Sequence, residues 1–166
     1  MRRIVAIEPS GPGEAGDVVR LDHDQRTRRR MVFTTEAGAQ ILLDMPRPVR
    51  LREGHWLTLE DGERVRVEAM NEALIEITAV SHAQLVRIAW HLGNRHLPTQ
   101  LLPGDNGGAL RIRHDHVIAE MAEGLGGACR AVLAPFDPEG GAYADPGSSH
   151  GHSHGHDGDH HHHAHG

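Results

Sequence analysis

The sequence predicts an α+β protein: a small all-β domain, then a domain of order β-α-β-β-α-β, then a disordered histidine-rich tail. Three observations carry that expectation. Up to about Asn71 the chain is a series of short, alternating apolar runs broken by Gly, Pro or Asp-Gly. From Glu72 onward, two segments of helical spacing are interleaved with four strand-like ones. Beyond Phe136 the chain is mostly Gly, Ser, Asp and His, with almost nothing to bury, and disorder is expected there. The expected divisions are residues 1–71, 72–145 and 146–166.

In the first domain "RRIVAIE", "DVVRLDHD", "RRRMVFTTEAG", "AQILLDMP", "HWLTLEDG" and "ERVRVEAM" each alternate branched or aromatic residues with polar ones, the pattern of half-buried strands. Within "LEDGERV", Asp61-Gly62 predicts a hairpin, since Asp-Gly accepts the positive φ of a type I′ turn. No catalytic constellation stands out here, and His23 and His55 read as ordinary polar surface residues.

In the second domain "EALIEITAV" reads as a strand and "SHAQLVRIAWHLGN" as a helix. Ser81 caps it; Leu85, Ile88, Ala89 and Leu92 share one face; Gly93 is expected to end it in a left-handed conformation. Two short strands, "LPTQLLPG" and "GALRIRH", flank the Gly-rich "PGDNGG". In "DHVIAEMAEGLGG", Val117, Met121 and Leu125 are spaced for one helix face, and Gly126-Gly127 stops it. "ACRAVLAPF" supplies the last strand. This order is the split-βαβ, ferredoxin-like plan. The plan hosts many functions and names none.

Composition narrows the class. Of 166 residues, 17 are basic and 23 acidic, a formal charge of -6. A nucleic-acid binder needs a net basic surface to displace counterions, so no nucleic-acid partner is expected. A single cysteine, Cys129, excludes a disulfide framework and a cysteine-based zinc site, and it fits a reducing cytoplasm. No signal peptide or membrane span is legible.

Histidine is the unusual residue, with 16 copies. Nine fall in the tail: His150, His152, His154, His156, His160, His161, His162, His163 and His165. Repeated Gly-His and runs of His are a compositional mark of metal binding. The longest run is four, His160 to His163, broken up by Gly, Ser, Asp and Ala, which reads as a native tail rather than a purification tag.

Five others stand in the second domain, and four of them, His91, His96, His114 and His116, are candidate ligands. His91 lies in the last helical turn, where it either offsets the helix dipole or lends a ligand. His96 follows a Gly-Asn break and precedes Pro98, which stiffens the exit. It is either a solvated loop residue or a ligand held in a fixed direction. "HDH" places His114 and His116 around Asp115, a candidate helix cap. If the strand persists that far, both imidazoles point to one side and share an ion; otherwise they are exposed residues beside a cap.

Imidazole and carboxylate without thiolate suit divalent Ni, Cu or Zn. There is no HExxH and no P-loop, so neither a hydrolytic zinc site nor nucleotide hydrolysis is expected, and the chain is not read as an enzyme. One His96 cannot hold an ion tightly. In a two-fold dimer, two copies can meet on the axis in an exposed, incomplete site suited to passing an ion on.

"WHLGNRHLPTQLLPG", then "LRIRHDHVIAEMAEGLG", then "APFDPEGGAYA" resemble the UreE family of nickel metallochaperones in urease maturation. The resemblance covers the second half of the chain before the tail. It implies a β domain akin to a chaperone peptide-binding domain and a ferredoxin-like metal-binding domain. It further implies a homodimer in which His96 of each subunit holds Ni²⁺, with Zn²⁺ or Cu²⁺ as competitors, and peripheral sites at His114 and His116. The implied role is delivery of nickel to apo-urease alongside the UreG GTPase and the other accessory proteins. The alternative is a nickel or zinc storage protein acting mainly through its tail.

Overall fold

The computed structural model describes residues 1–11 and 13–140. The expectation of disorder directly after Phe136 does not hold for Asp137 and Pro138, which pack against Arg50 of the first domain; for residues 141–166 it lies outside the described residues. The chain is α+β, and it builds two separate sheets.

Six strands form the first sheet: β1 (Arg2–Glu8), β2 (Asp17–Leu21), β3 (Thr27–Thr34), β4 (Gln40–Arg50), β5 (Trp56–Leu59) and β6 (Arg64–Ala69), in the order β2-β6-β5-β1-β4-β3. Alternation along each strand sends one set of side chains inward. Ile4, Val19, Leu21, Phe33, Ile41, Leu43, Leu57, Leu59, Val65 and Val67 meet there with Leu51.

Two local expectations change. "DVVRLDHD" does not stay extended: Asp22 opens a one-turn helix, α1 (His23–Arg26), through a capping box with Gln25. The Asp61-Gly62 hairpin is not type I′. Gly62 has φ +87° while Asp61 stays on the ordinary side. Gly62 N–H donates to the Leu59 carbonyl and Leu59 N–H to the Glu63 carbonyl. The loop is therefore the three-residue kind, a turn closed by a left-handed glycine.

The second sheet holds β7 (Asn71–Thr78), β8 (Gln100–Leu102), β9 (Ala109–Arg113) and β10 (Ala128–Pro135), all antiparallel, in the order β10-β7-β9-β8. Helices α2 (His82–Asn94) and α3 (His116–Gly124) connect them, giving the expected β-α-β-β-α-β plan. Ser81 Oγ accepts from Gln84 N–H, and Asp115 accepts from Val117 and Ile118 N–H, so both helices start at side-chain caps. Leu85, Ile88 and Leu92 of α2 pack with Ile75, Ile77, Leu110 and Ile112 of the sheet.

Of the expected inner face of α3, Met121 and Leu125 pack partly buried against the sheet core, but Val117 does not. Ile118 and Ala122 are buried, whereas Val117 is 59% exposed. Between β8 and β9 the chain makes a 3-10 turn, Asp105–Gly107. Gly108 follows at φ +89°, and a Cβ there would run into the Leu102 carbonyl.

The two sheets are joined by more than the chain between them. Phe136 is fully buried and stacks edge-on with His23 at 5.5 Å. The buried Arg26 guanidinium donates to the carbonyls of Leu51 and Phe136. Arg50 pairs with Asp137 at 2.7 Å and also reaches the Pro138 carbonyl. Arg113 pairs with Asp24 at 2.7 Å, and the His23 N–H donates to Glu72. His23 is thus a junction residue rather than a surface one: its Nδ1 is buried and has no partner among the described residues. His55 is likewise only half-exposed, its Nδ1 accepting from Arg52 N–H.

Candidate metal centre

His96 owes its position to the way α2 ends. The helix does not stop at Gly93, which stays helical; Arg95 is the C-cap and the left-handed residue is His96, at φ +54°. His96 N–H donates to the Gly93 carbonyl at 3.0 Å and Leu97 N–H to the Leu92 carbonyl at 3.3 Å. Those two bonds are a Schellman cap, with histidine in the seat that glycine usually takes. The cap forms here because it lays Leu97 back against the core that buries Leu92. A left-handed backbone costs a side-chain-bearing residue about 1–2 kcal/mol. The chain carries that cost while the imidazole stands exposed, fixed by its cap on one side and Pro98 on the other.

His91 is half-buried in the last turn of α2 and lies edge-on to Trp90 at 5.0 Å. Trp90 and Val86, one turn apart, are 64% and 53% exposed on the same outward face. Arg95 Nε donates to Met121 Sδ at 3.0 Å, tying the end of α2 to α3.

The "HDH" stretch does not remain extended. β9 ends at Arg113, His114 N–H donates to the Ala73 carbonyl, and His116 is already the first residue of α3. The alternation that would put both imidazoles on one side of a strand therefore does not apply. Both are exposed, flanking the Asp115 cap.

Topology brings the end of α2, the end of β9 and the start of α3 to one end of the second sheet. Even so, among the described residues no three His, Cys, Asp or Glu side chains stand together as a group able to hold a metal ion. Cys129 adds no soft ligand. It is half-buried, and burial, aided by Glu123, pushes its thiol pKa up and keeps it protonated at neutral pH. His150, His152, His154, His156, His160, His161, His162, His163 and His165 lie outside the described residues.

Comparison with known proteins follows the same two-part division. Residues 3–70 match the family description "UreE urease accessory protein, N-terminal domain", and residues 72–165 match its C-terminal counterpart. A urease accessory protein UreE of Bradyrhizobium sp. (strain ORS 278) is 52% identical over 137 residues, covering 82% of this chain and 63% of that protein. One from Rhodopseudomonas palustris (strain BisB18) is 55% identical over 132 residues, 80% and 61%. One from Beijerinckia indica subsp. indica is 44% identical over 152 residues, 90% and 86%. The chain spans less than two thirds of the length of the first two relatives.

A β domain followed by a split-βαβ domain, matched along both by these proteins, defines a two-domain protein of the urease accessory class. The chain belongs to the UreE family.

Proposed function

We propose that the chain is a nickel carrier, not an enzyme, that delivers Ni²⁺ to apo-urease in the cytoplasm, working with the UreG GTPase and the other accessory proteins. It does so as a homodimer in which His96 of each copy contributes one imidazole to a shared ion. The observation that carries this reading is the left-handed, exposed His96: backbone strain retained at a solvent-facing imidazole points to a use for that imidazole. The outward pair Val86 and Trp90, on the helix that His96 ends, supplies apolar surface for a second copy. Because a single chain offers no three-ligand group among its described residues, the ion is held openly and passed on readily. Imidazole donors favour Ni²⁺, with Zn²⁺ and Cu²⁺ competing.

His91, His114 and His116 serve as accessory donors at the same end of the domain, and the tail histidines as a capture arm. On this reading the working parts are residues 1–71, 72–145 and 146–166. The histidine-rich composition of the tail favours a second reading, nickel or zinc storage.

Nickel titration with solution mass measurement separates the two. A chain lacking residues 148–166 is expected to bind one high-affinity Ni²⁺ per two copies, and His96→Ala to lose that ion while keeping its fold. Retained urease activation by His96→Ala in nickel-limited cells would refute the carrier reading. Loss of all activation on tail removal would favour storage.

A further inference from the structure

The two sheets leave four edge strands among the described residues, β2, β3, β8 and β10, and an open edge invites pairing unless it is guarded. Three of them are guarded. β2 is five residues long, carries Asp17 and Arg20, and has its Val18 carbonyl taken by Glu36 N–H. β3 carries Arg28, Arg29 and Arg30 and breaks register there. β8 is three residues long, and Glu139 N–H takes the carbonyl of Thr99 just before it. β10 has none of these devices. Its eight residues pair with β7 without a shift, from Ala128 opposite Thr78 to Pro135 opposite Asn71. Its one charge, Arg130, is turned to Glu76, and its one proline is its last residue.

The ladder fixes which backbone groups of β10 are free. His114 N–H donates to the Ala73 carbonyl, so Ala73 faces β9. Successive residues of a strand face opposite neighbours, so Leu74 and Glu76 face β10 and bond with Val132 and Arg130. The N–H and C=O groups of Cys129, Ala131 and Leu133 therefore point out of the sheet, and no bond from elsewhere among the described residues reaches them. Their side chains share the face that carries the helices, because Cys129 packs into that core. Ala131 is exposed, and Leu133 is 75% exposed. Above this edge lies α3, whose Ala119 carbonyl accepts from the Cys129 thiol at 3.7 Å. Glu123 is one turn further along, near enough to Cys129 to raise its thiol pKa, and Glu120 is one turn back from Glu123. Both carboxylates are exposed, and neither forms an ion pair among the described residues.

We propose that the β10 edge docks an extended segment of a partner protein, which adds to the sheet along Cys129, Ala131 and Leu133 and carries basic side chains beside Glu123 and Glu120 and aliphatic ones beside Leu133. Backbone bonds along an open edge supply affinity, and alternate side chains supply selection. Charge decides between the occupants. A second copy paired through β10 would lay α3 beside its mate, with the same acidic side of each helix turned to the seam. The chain's own continuation leads away, since Asp137 N–H donates to Gln100 and Glu139 N–H to Thr99, both at the opposite edge of the sheet. A basic segment instead meets two unpaired carboxylates on a chain whose net charge is -6.

The test uses the full-length chain without metal, so its outcome is independent of the nickel reading. The probe is a fluorescent, end-blocked peptide, Thr-Lys-Thr-Leu-Thr-Lys-Thr, which presents Lys, Leu and Lys on one face in either direction. Binding is expected to weaken with salt and to be absent for the matching peptide with Glu in place of Lys. Glu120→Lys with Glu123→Lys, a change confined to the surface of α3, is expected to weaken it by about tenfold or more. Ala131→Pro removes one outward N–H and leaves the β7 ladder whole, so it is expected to keep the fold by circular dichroism and lose binding by a similar factor. Amide hydrogen exchange at Cys129, Ala131 and Leu133 is expected to slow on binding. Absence of binding, equal affinity for the Glu peptide, undiminished affinity in the charge-reversed variant, or unchanged exchange at those three amides would each overturn the proposal. A mass that doubles with concentration in the parent and not in Ala131→Pro would assign the edge to a second copy and overturn it as well.

Discussion

Arg26, on the one-turn helix of the first domain, donates to the backbone carbonyl of Phe136, at the end of the last strand of the second; the two residues are 2% and 0% exposed. This contact spans 110 residues of chain and makes the junction between the sheets a packed, hydrogen-bonded interior rather than a hinge.

That junction predicts a cost for emptying it. Phe136→Ala should destabilise the protein by about 3–5 kcal/mol, the usual range for losing a buried aromatic. Arg26→Met should cost about 1–3 kcal/mol, because it leaves two buried carbonyls, those of Leu51 and Phe136, without their donor. Chemical denaturation followed by circular dichroism checks both. A loss under about 1 kcal/mol in Phe136→Ala would mean the junction is not packed this way.

His96→Gly separates the backbone from the side chain. Glycine takes φ +54° without penalty, so this variant is expected to gain about 0.5–1 kcal/mol over the parent after the extra freedom of its unfolded chain is counted. His96→Ala should show no such gain. Both should lose the shared nickel ion. Thermal melts with nickel titration on both variants read the two effects separately; an unchanged melting temperature in His96→Gly would remove the strain argument.

How much of this was legible in the sequence depends on whether the signal was local. Both long helices could be read because their starts are written in Ser81 and Asp115 and their inner faces in apolar spacing. Local spacing does not choose between adjacent apolar residues: α3 buries Ile118 and Ala122, packs Met121 and Leu125 partly buried beside them, and leaves Val117 out, because the sheet decides which stripe it receives. The end of α2 was misplaced at Gly93, since Leu97 reaching back to the Leu92 core moved the cap to a histidine. The one-turn helix α1 did carry a readable sign, Asp22 with Gln25 three residues on, hidden inside an apparently extended run. The burial of His23 was not readable at all, because it depends on Phe136 arriving from the far end of the fold. His96 and the break before it were legible; whatever meets its imidazole from outside the chain is not written locally.

A pH dependence follows from His23. Burial lowers its pKa below the ordinary histidine value, and the Arg26 and Arg113 guanidiniums act the same way against the weaker pull of Asp24 and Glu72. The unfolded chain therefore takes up the proton first as pH falls. Stability from the neutral imidazole is complete above about pH 6.5 and declines below it, until the folded form protonates too. His55, also lowered by burial, contributes in the same direction. Denaturation of His23→Gln at pH 7.5 and about pH 5.5 should show a smaller difference than the parent; an equal difference would place the titration elsewhere.

Removing residues 148–166 should lower the number of nickel ions bound while leaving the high-affinity ion and urease activation in place. Binding of that ion should weaken as pH falls, because only a deprotonated imidazole ligates a metal. Affinity that stays flat to about pH 5 would assign the ion to carboxylates instead.

The way Phe136, Asp137 and Pro138 are stitched into the first domain bears on attempts to study either half alone. A fragment beginning at residue 72 would carry a bare aromatic ring and an unmatched carbonyl into water, and one ending at residue 71 would strand a cationic guanidinium in an opened groove. Dissected halves should therefore be sticky or poorly behaved for reasons unrelated to nickel. A fragment's failure to load metal would say more about the cut than about the cargo.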